Sequence, residues 1–318
     1  MVLAHIFWFL LACLGLILSS IGLLRSIEKI SFFLKIKLFI ISFFILGIGT
    51  SLPELFVGIN SALLNKSSIS FGNIVGANII DITLIVGIPI LILRSIRIES
   101  KSERKDILYM FILVLLPIAM LFFDNKISRI EGCILIATFL LYNYNLLREE
   151  KEFEKKAKEG IKRTSIFLYF ITAFLCIISL YYSAKYAIDY AVFIAQDLNL
   201  SHIFIGLFIL SVGTTLPEMV VSIQSLMQGK RDLMVGNVVG SLVTNSTLII
   251  GVVAVINPIY VSFYFMTIPF IFLIFSVLLF IAFAEHGRTI GVSQGTVMVF
   301  LYILFLIVEL TLKSAKIA

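Results

Sequence analysis

The stretch "GTSLPE", Gly49–Glu54, lies inside an apolar run long enough to cross a membrane, and "GTTLPE", Gly213–Glu218, does the same 164 residues later. Each puts a helix breaker and a carboxylate where lipid is expected. A charged side chain near a bilayer centre costs about 2.5–3.5 kcal/mol to insert, so two at matching positions need a compensating partner. Proline removes a backbone donor and clashes with the carbonyl one turn earlier. Carbonyls around Gly47 to Thr50 and around Ser211 to Thr214 are therefore expected to leave the helix ladder. In lipid such oxygens must be satisfied from within, and a bound cation can do it.

Composition sets the frame. Of 318 residues, 60% are hydrophobic and only 14% charged, with mean hydropathy +1.10, which leaves too little charge to cover a soluble domain. Apolar runs of about 20 residues predict spans at 3–24, 36–64, 69–93, 106–123, 128–147, 164–190, 200–228, 232–256, 259–284 and 290–312. The expected fold is an all-α polytopic membrane protein of ten helices. Strand alternation is absent, which argues against a membrane barrel. The first run has no basic residues before it and exceeds a signal-peptide core, so it reads as a span.

Loops and adjoining span ends on one side hold 19 Lys and Arg, those on the other side five. Cytoplasmic loops carry the basic excess, so both termini are expected outside a plasma membrane. The segment 148–163, "REEKEFEKKAKEGIKR", reads as a solvated cytoplasmic linker between five-helix halves at 1–147 and 164–318. Cys13, Cys133 and Cys176 read as small core residues with no metal or disulfide spacing. His5, His202 and His286 stand apart near span ends and receive no chemistry. Lys185 and Asp189, one turn apart, are expected to neutralise each other or to snorkel.

The halves align without a gap over 45 positions, from Phe43 and from Leu207. Identical pairs include Gly49/Gly213, Thr50/Thr214, Pro53/Pro217, Glu54/Glu218, Gly72/Gly236, Asn73/Asn237 and Gly76/Gly240. An odd number of spans per half makes the repeats cross in opposite senses. Inverted repeats with interrupted helices mark secondary transporters with a midplane site. Glycines at helical spacing can simply pack helices; a repeated buried carboxylate is not explained that way.

Two bidentate Glu side chains, Glu54 and Glu218, with the carbonyls of Thr50 and Thr214, offer six hard oxygens. That set suits Ca²⁺, whereas Mg²⁺ dehydrates reluctantly. Without nearby Cys or His, softer metals are disfavoured. Hydroxyls of Thr50, Ser51, Thr214, Thr215 and Ser241 can take smaller monovalent ions around the same carboxylates. Ions that share Glu54 and Glu218 exclude one another, which is the physical basis of exchange.

At these residues the chain resembles the cation/Ca²⁺ exchanger superfamily, in its prokaryotic Na⁺/Ca²⁺ branch. The paired "G-T-[ST]-L-P-E" and "G-N-x-V-G" motifs carry the likeness over 43–88 and 207–252. The resemblance implies antiport of Ca²⁺ and Na⁺, with spans 1 and 6 sliding past the other eight. It implies central ligands at Glu54 and Glu218, Ca²⁺ ligation by the Thr50 and Thr214 carbonyls, and flanking Na⁺ sites. Those would use the Gly47 and Ser211 carbonyls with Ser51, Thr215 and Ser241. Asn73 and Asn237 read first as amides bracing the broken helices, and as ligands second.

Two positions depart from the family pattern. Ala77 stands opposite Ser241, where relatives carry Ser, which keeps H⁺ coupling or a lower Na⁺ count open. In the Asp81/Asn245 pair the acid is in the first repeat; an amide at Asn245 weighs against K⁺ dependence. Asp81, near two other carboxylates, is expected to hold a proton in at least one transport state. The alternative function is a Ca²⁺/H⁺ or other divalent cation/H⁺ antiporter. No nucleophile with a partner His, H-E-x-x-H or cofactor motif supports an enzyme, and a tight two-carboxylate cage argues against a channel. No cofactor and no nucleic acid is expected; the bilayer is the partner, and a monomer is expected to suffice.

Overall fold

A computed structural model describes residues 2–33, 48–97, 101–149, 163–197, 202–227, 231–286 and 289–314. The start of the predicted 36–64 span, Gly47 included, and most of the 148–163 linker lie outside them. The helices are α1 (Val2–Phe33), α2 (Leu52–Leu63), α3 (Ser67–Leu93), α4 (Lys101–Asp124), α5 (Arg129–Glu149) and α6 (Arg163–Asp197). They continue as α7 (Ile205–Thr214), α8 (Leu216–Met227), α9 (Met234–Ile256), α10 (Phe263–His286) and α11 (Val292–Ser314). Seven described helices are long and apolar enough to cross a membrane, or eight if the bent α7–α8 pair is one span. The chain is thus a polytopic all-α membrane protein.

Burial separates the helices. In α3 and α9, 83% and 78% of the apolar window is enclosed, against 29% in α1 and 17% in α6. The two enclosed helices are those that carry the "G-N-x-V-G" motifs. Large apolar side chains of α6, among them Phe167, Phe170 and Phe174, face outward, as lipid-facing residues do.

Bare backbone explains the G-N-x-V-G glycines of the first half, Gly72 and Gly76, whereas a Cβ on Gly236 would meet nothing within 4 Å. A Cβ on Gly72 would stand 2.4 Å from the Ile203 carbonyl, and one on Gly76 2.2 Å from the Leu207 carbonyl. In return, a Cβ on Gly206 would stand 2.1 Å from the carbonyl of Ile69. Without side chains there, α3 and α7 come into backbone contact, the usual route to close packing between membrane helices.

Helices α1 and α6 pack antiparallel along a seam of small residues. Gly15 lies against Ser183 and Gly22 against Cys176. The Ser19 hydroxyl donates to that of Ser179 at 2.6 Å. At one end His5 Nδ1 meets Asp197 Oδ2 at 2.9 Å. The sequence reading left His5 without a contact; its partner is 192 residues away. Lys185 is exposed and Asp189 half-buried.

Two short antiparallel strand pairs join distant loops. β1 (Ser95–Arg97) pairs with β4 (Thr289–Gly291), and β2 (Lys126–Ile127) with β3 (Ile259–Tyr260). Ser95 opposes Gly291, and Ile127 opposes Ile259. Moving Ser95 forward by 164 and Gly291 back by 164 lands on Ile259 and Ile127, so one pair is the image of the other in register.

The sequence reading did not foresee π-helical turns. They occupy Asp81–Ile85 in α3, Ile205–Leu210 in α7 and Thr244–Ile249 in α9. Such turns widen the helix and collect at functional sites. A hydroxyl caps the ladder at two of them: Thr83 donates to the Ile79 carbonyl, and Thr247 to the Val243 carbonyl at 2.6 Å.

Candidate ion-binding site

Each Pro-Glu motif opens a helix. Pro53 and Glu54 lie in the first turn of α2, and Pro217 and Glu218 in the first turn of α8. Lacking an N–H, Pro53 and Pro217 leave the carbonyls of Gly49 and Gly213 without their usual donors. Helix axes change direction by 42° between α7 and α8. A carboxylate in the first turn sits at the positive end of the helix dipole, which offsets part of its burial cost.

Both glutamates are fully enclosed, Glu54 at 0% and Glu218 at 1% exposure. They lie close enough for their charges to interact directly, and Asp81 is within reach of both. None of the six carboxylate oxygens has a hydrogen-bond partner in the protein. A buried carboxylate without partners is costly by several kcal/mol, so the arrangement fits a cation or a proton. Among the described residues no three His, Cys, Asp or Glu converge to hold a metal by themselves. Hydroxyl, amide and backbone oxygens must complete any coordination shell.

Those oxygens are held by contacts that cross between the halves. Thr50 Oγ1 donates to Asn237 Oδ1 at 3.1 Å, and Thr214 Oγ1 donates to Asn73 Oδ1 at 3.2 Å. A shift of 164 turns the first bond into the second. The Thr214 hydroxyl lies beside Glu54 and the Thr50 hydroxyl beside Glu218. Each hydroxyl is thus placed between an asparagine of the opposite half and a carboxylate of the opposite half. Asn237 is braced in turn by Nδ2 contacts to Ser222 Oγ at 3.1 Å and to the Glu218 carbonyl at 3.4 Å.

The halves differ in detail. Ser241 Oγ stands 3.4 Å from Thr50 Oγ1. Its counterpart Ala77 has no hydroxyl to offer Thr214. Ser222 braces Asn237, whereas Gly58 takes that place in the first half and Asn73 Nδ2 finds no partner. Ser51, Thr215, Asn245 and Ser211 are all buried beside the motifs.

One expectation is corrected. The carbonyl run from Ser211 to Thr214 is not released as a whole. The Ser211 carbonyl accepts from Thr215 N at 3.1 Å and from Thr215 Oγ1 at 2.8 Å. The Ser211 hydroxyl turns back to the Leu207 carbonyl at 2.6 Å. A short helical turn persists up to the break, because the proline removes only one donor. Sequence reasoning missed Asn78, Ser222 and Ser246. Each is polar in one half and replaced in the other, by Leu242, Gly58 and Ile82, so comparing the repeats passes over them.

A helical bundle in which two Pro-Glu motifs each open a helix and present partnerless carboxylates in its core fits a cation transporter of the secondary type. The chain belongs to the sodium/calcium exchanger protein family, whose model matches residues 4–148 and 168–311. It is 27% identical over 348 residues to the sodium/calcium exchanger MaX1 of Methanosarcina acetivorans, covering 94% of this chain and 97% of that one. It is 26% identical over 228 residues to the inner membrane protein YrbG of Escherichia coli, covering 69% and 70%. Among solved structures it resembles the sodium-calcium exchanger NCX_Mj soaked with 10 mM Na⁺ and zero Ca²⁺. There the TM-score is 0.68 at 26% identity, over 96% of this chain and 98% of that one. The family is one of cation/Ca²⁺ antiporters, and its members work in membranes as transporters.

Proposed function

We propose that this chain exchanges Ca²⁺ for Na⁺ across the plasma membrane by alternating access at the Glu54–Glu218 site. The observation that carries the reading is the pair of enclosed glutamates whose oxygens have no protein partner. The Ca²⁺ ligands are Glu54 and Glu218 with the Thr50 and Thr214 carbonyls. Na⁺ uses the same carboxylates with Ser51, Thr215, Ser241, the Gly47 carbonyl, and the Asp81/Asn245 pair. Asn73 and Asn237 hold the threonines in place.

The architecture that goes with it is two inverted repeats, 1–147 and 164–318, each of five spans, joined by a cytoplasmic linker at 148–163. The reciprocal Thr–Asn bonds and the two register-matched strand pairs support a twofold relation between halves. The one-sided basic loops support termini outside the cell.

A second reading, Ca²⁺/H⁺ exchange, draws on one observation: Ala77 deprives the Thr214 side of the hydroxyl that Ser241 gives Thr50. Ca²⁺ flux in sealed vesicles separates the two. Under Na⁺/Ca²⁺ exchange an imposed Na⁺ gradient drives Ca²⁺ and a pH gradient alone does not; the reverse pattern assigns the proton. Clamping the potential then counts ions. Exchange of three Na⁺ moves one net charge, worth about 2.3 kcal/mol per 100 mV, while exchange of two is indifferent to voltage.

A further inference from the structure

Asn78 lies outside every residue given a role above, and it is almost fully buried, with 2% exposure. Its Nδ2 donates to Ser246 Oγ at 2.9 Å, and its Oδ1 accepts from Asn245 Nδ2 at 3.1 Å. Asn245 Oδ1 is enclosed and has no partner in the protein. An amide has two ends, and which end faces a site is set by the bond the other end makes. In the structure the Asn78 nitrogen points at Ser246 and its oxygen at Asn245, so the three side chains form one donor chain. The Asn245 nitrogen is thereby occupied, and its oxygen is the end left bare.

That oxygen is placed by the π-helical turn Thr244–Ile249, which packs against α2, the helix that carries Glu54. The counterpart of Asn245 is Asp81, which lies within electrostatic reach of Glu54 and Glu218. In the other half the relay cannot form, because Asn78 and Ser246 correspond to Leu242 and Ile82. It is not needed there: both ends of the Asp81 side chain are oxygen.

We infer that Asn78, anchored by Ser246, is a positioning residue that aims the carbonyl oxygen of Asn245 at the transported cation. The inference rests on the exchange reading above. Outer partners that orient a ligand typically contribute 10–100-fold in metal affinity.

The test is Na⁺ and Ca²⁺ binding and Ca²⁺ flux with the full-length purified chain. Asn78→Leu, which installs the counterpart side chain, is expected to raise the half-saturating ion concentration about tenfold. The maximum rate should stay within about twofold, the signature of lost ground-state binding. Asn245→Ala should show the same shift, and Asn78→Leu added to Asn245→Ala should cost nothing more. Ser246→Ala, a milder change, gives a smaller shift of the same sign. Unchanged affinity in both Asn78→Leu and Ser246→Ala overturns the relay, and so do additive losses in the double variant. If the unaltered chain binds neither ion, the exchange reading falls and the relay with it; if it binds both and only the variants disagree, the relay alone falls.

Discussion

Glu54 and Glu218 are costly residues whose burial is offset only in part, by their place in the first turn of α2 and α8. The Thr50 and Thr214 hydroxyls beside them also contact Asn237 and Asn73, and none of the carboxylate oxygens has a full hydrogen-bond partner in the protein. This makes an ion-free carboxylate pair a net burden on the fold, because removing an uncompensated buried charge is stabilising or neutral. Glu218→Gln and Glu54→Gln are therefore expected to abolish Ca²⁺ transport while leaving the ion-free protein at least as heat-stable as before. Ca²⁺ at about 100 times its dissociation constant should stabilise the unaltered chain by about 2.7 kcal/mol and neither variant at all. Thermal melts in detergent with and without Ca²⁺ read this directly, and Ca²⁺-dependent stabilisation of either variant would remove its glutamate from the site. At this scale the repeat made Glu54, Thr50, Asn73 and their counterparts legible. Asn78, Ser222 and Ser246 were not, since a residue present in one half alone leaves no repeat to notice.

At the level of elements, the decisive contact is backbone on backbone. Gly76 faces the Leu207 carbonyl and Gly206 the Ile69 carbonyl, so α3 is seated on the π-helical turn of α7 that leads into the second motif. A Cβ at Gly76 would stand 2.2 Å from a main-chain oxygen, and a backbone atom cannot swing aside as a side chain can. Gly76→Ala is expected to lower stability by about 1–3 kcal/mol, the usual penalty of overpacking. Gly291→Ala, whose nearest neighbour is the flexible Gln294 side chain at 3.4 Å, should be close to neutral. Equal melting temperatures for the two variants would count against the close α3–α7 contact. Sequence spacing announced that these glycines pack helices. It did not say which helix each would meet, nor that the helices carry π-helical turns, because a π-turn costs one extra residue per turn and leaves no residue-type signature.

For the whole molecule, the two strand pairs tie distant parts of the chain together by main-chain hydrogen bonds. Neither pair involves α1 or α6, the two helices with the least enclosed surface. If α1 and α6 move against the remainder during transport, the strand pairs need never open. Ser95→Cys combined with Gly291→Cys places two thiols on opposed residues. Oxidising that double variant is expected to leave Ca²⁺ flux within about twofold of the reduced form. Loss of flux on oxidation, restored by reductant, would mean that the halves separate at this seam during the cycle.

The amino-acid sequence by itself determined that this chain lives in a bilayer, that it repeats, and that its two Pro-Glu motifs put a carboxylate into each half of an apolar core. Hydropathy, an ungapped alignment and the cost of a charge in lipid are all properties of residue order. Tertiary structure alone decided that Thr50 reaches Asn237 and Thr214 reaches Asn73, that Ser211 keeps its helical turn, that His5 meets Asp197, and that Asn78 stands behind Asn245. Each of these depends on which groups meet across long separations in the chain, and the direction of a hydrogen bond is settled only when both partners are in place.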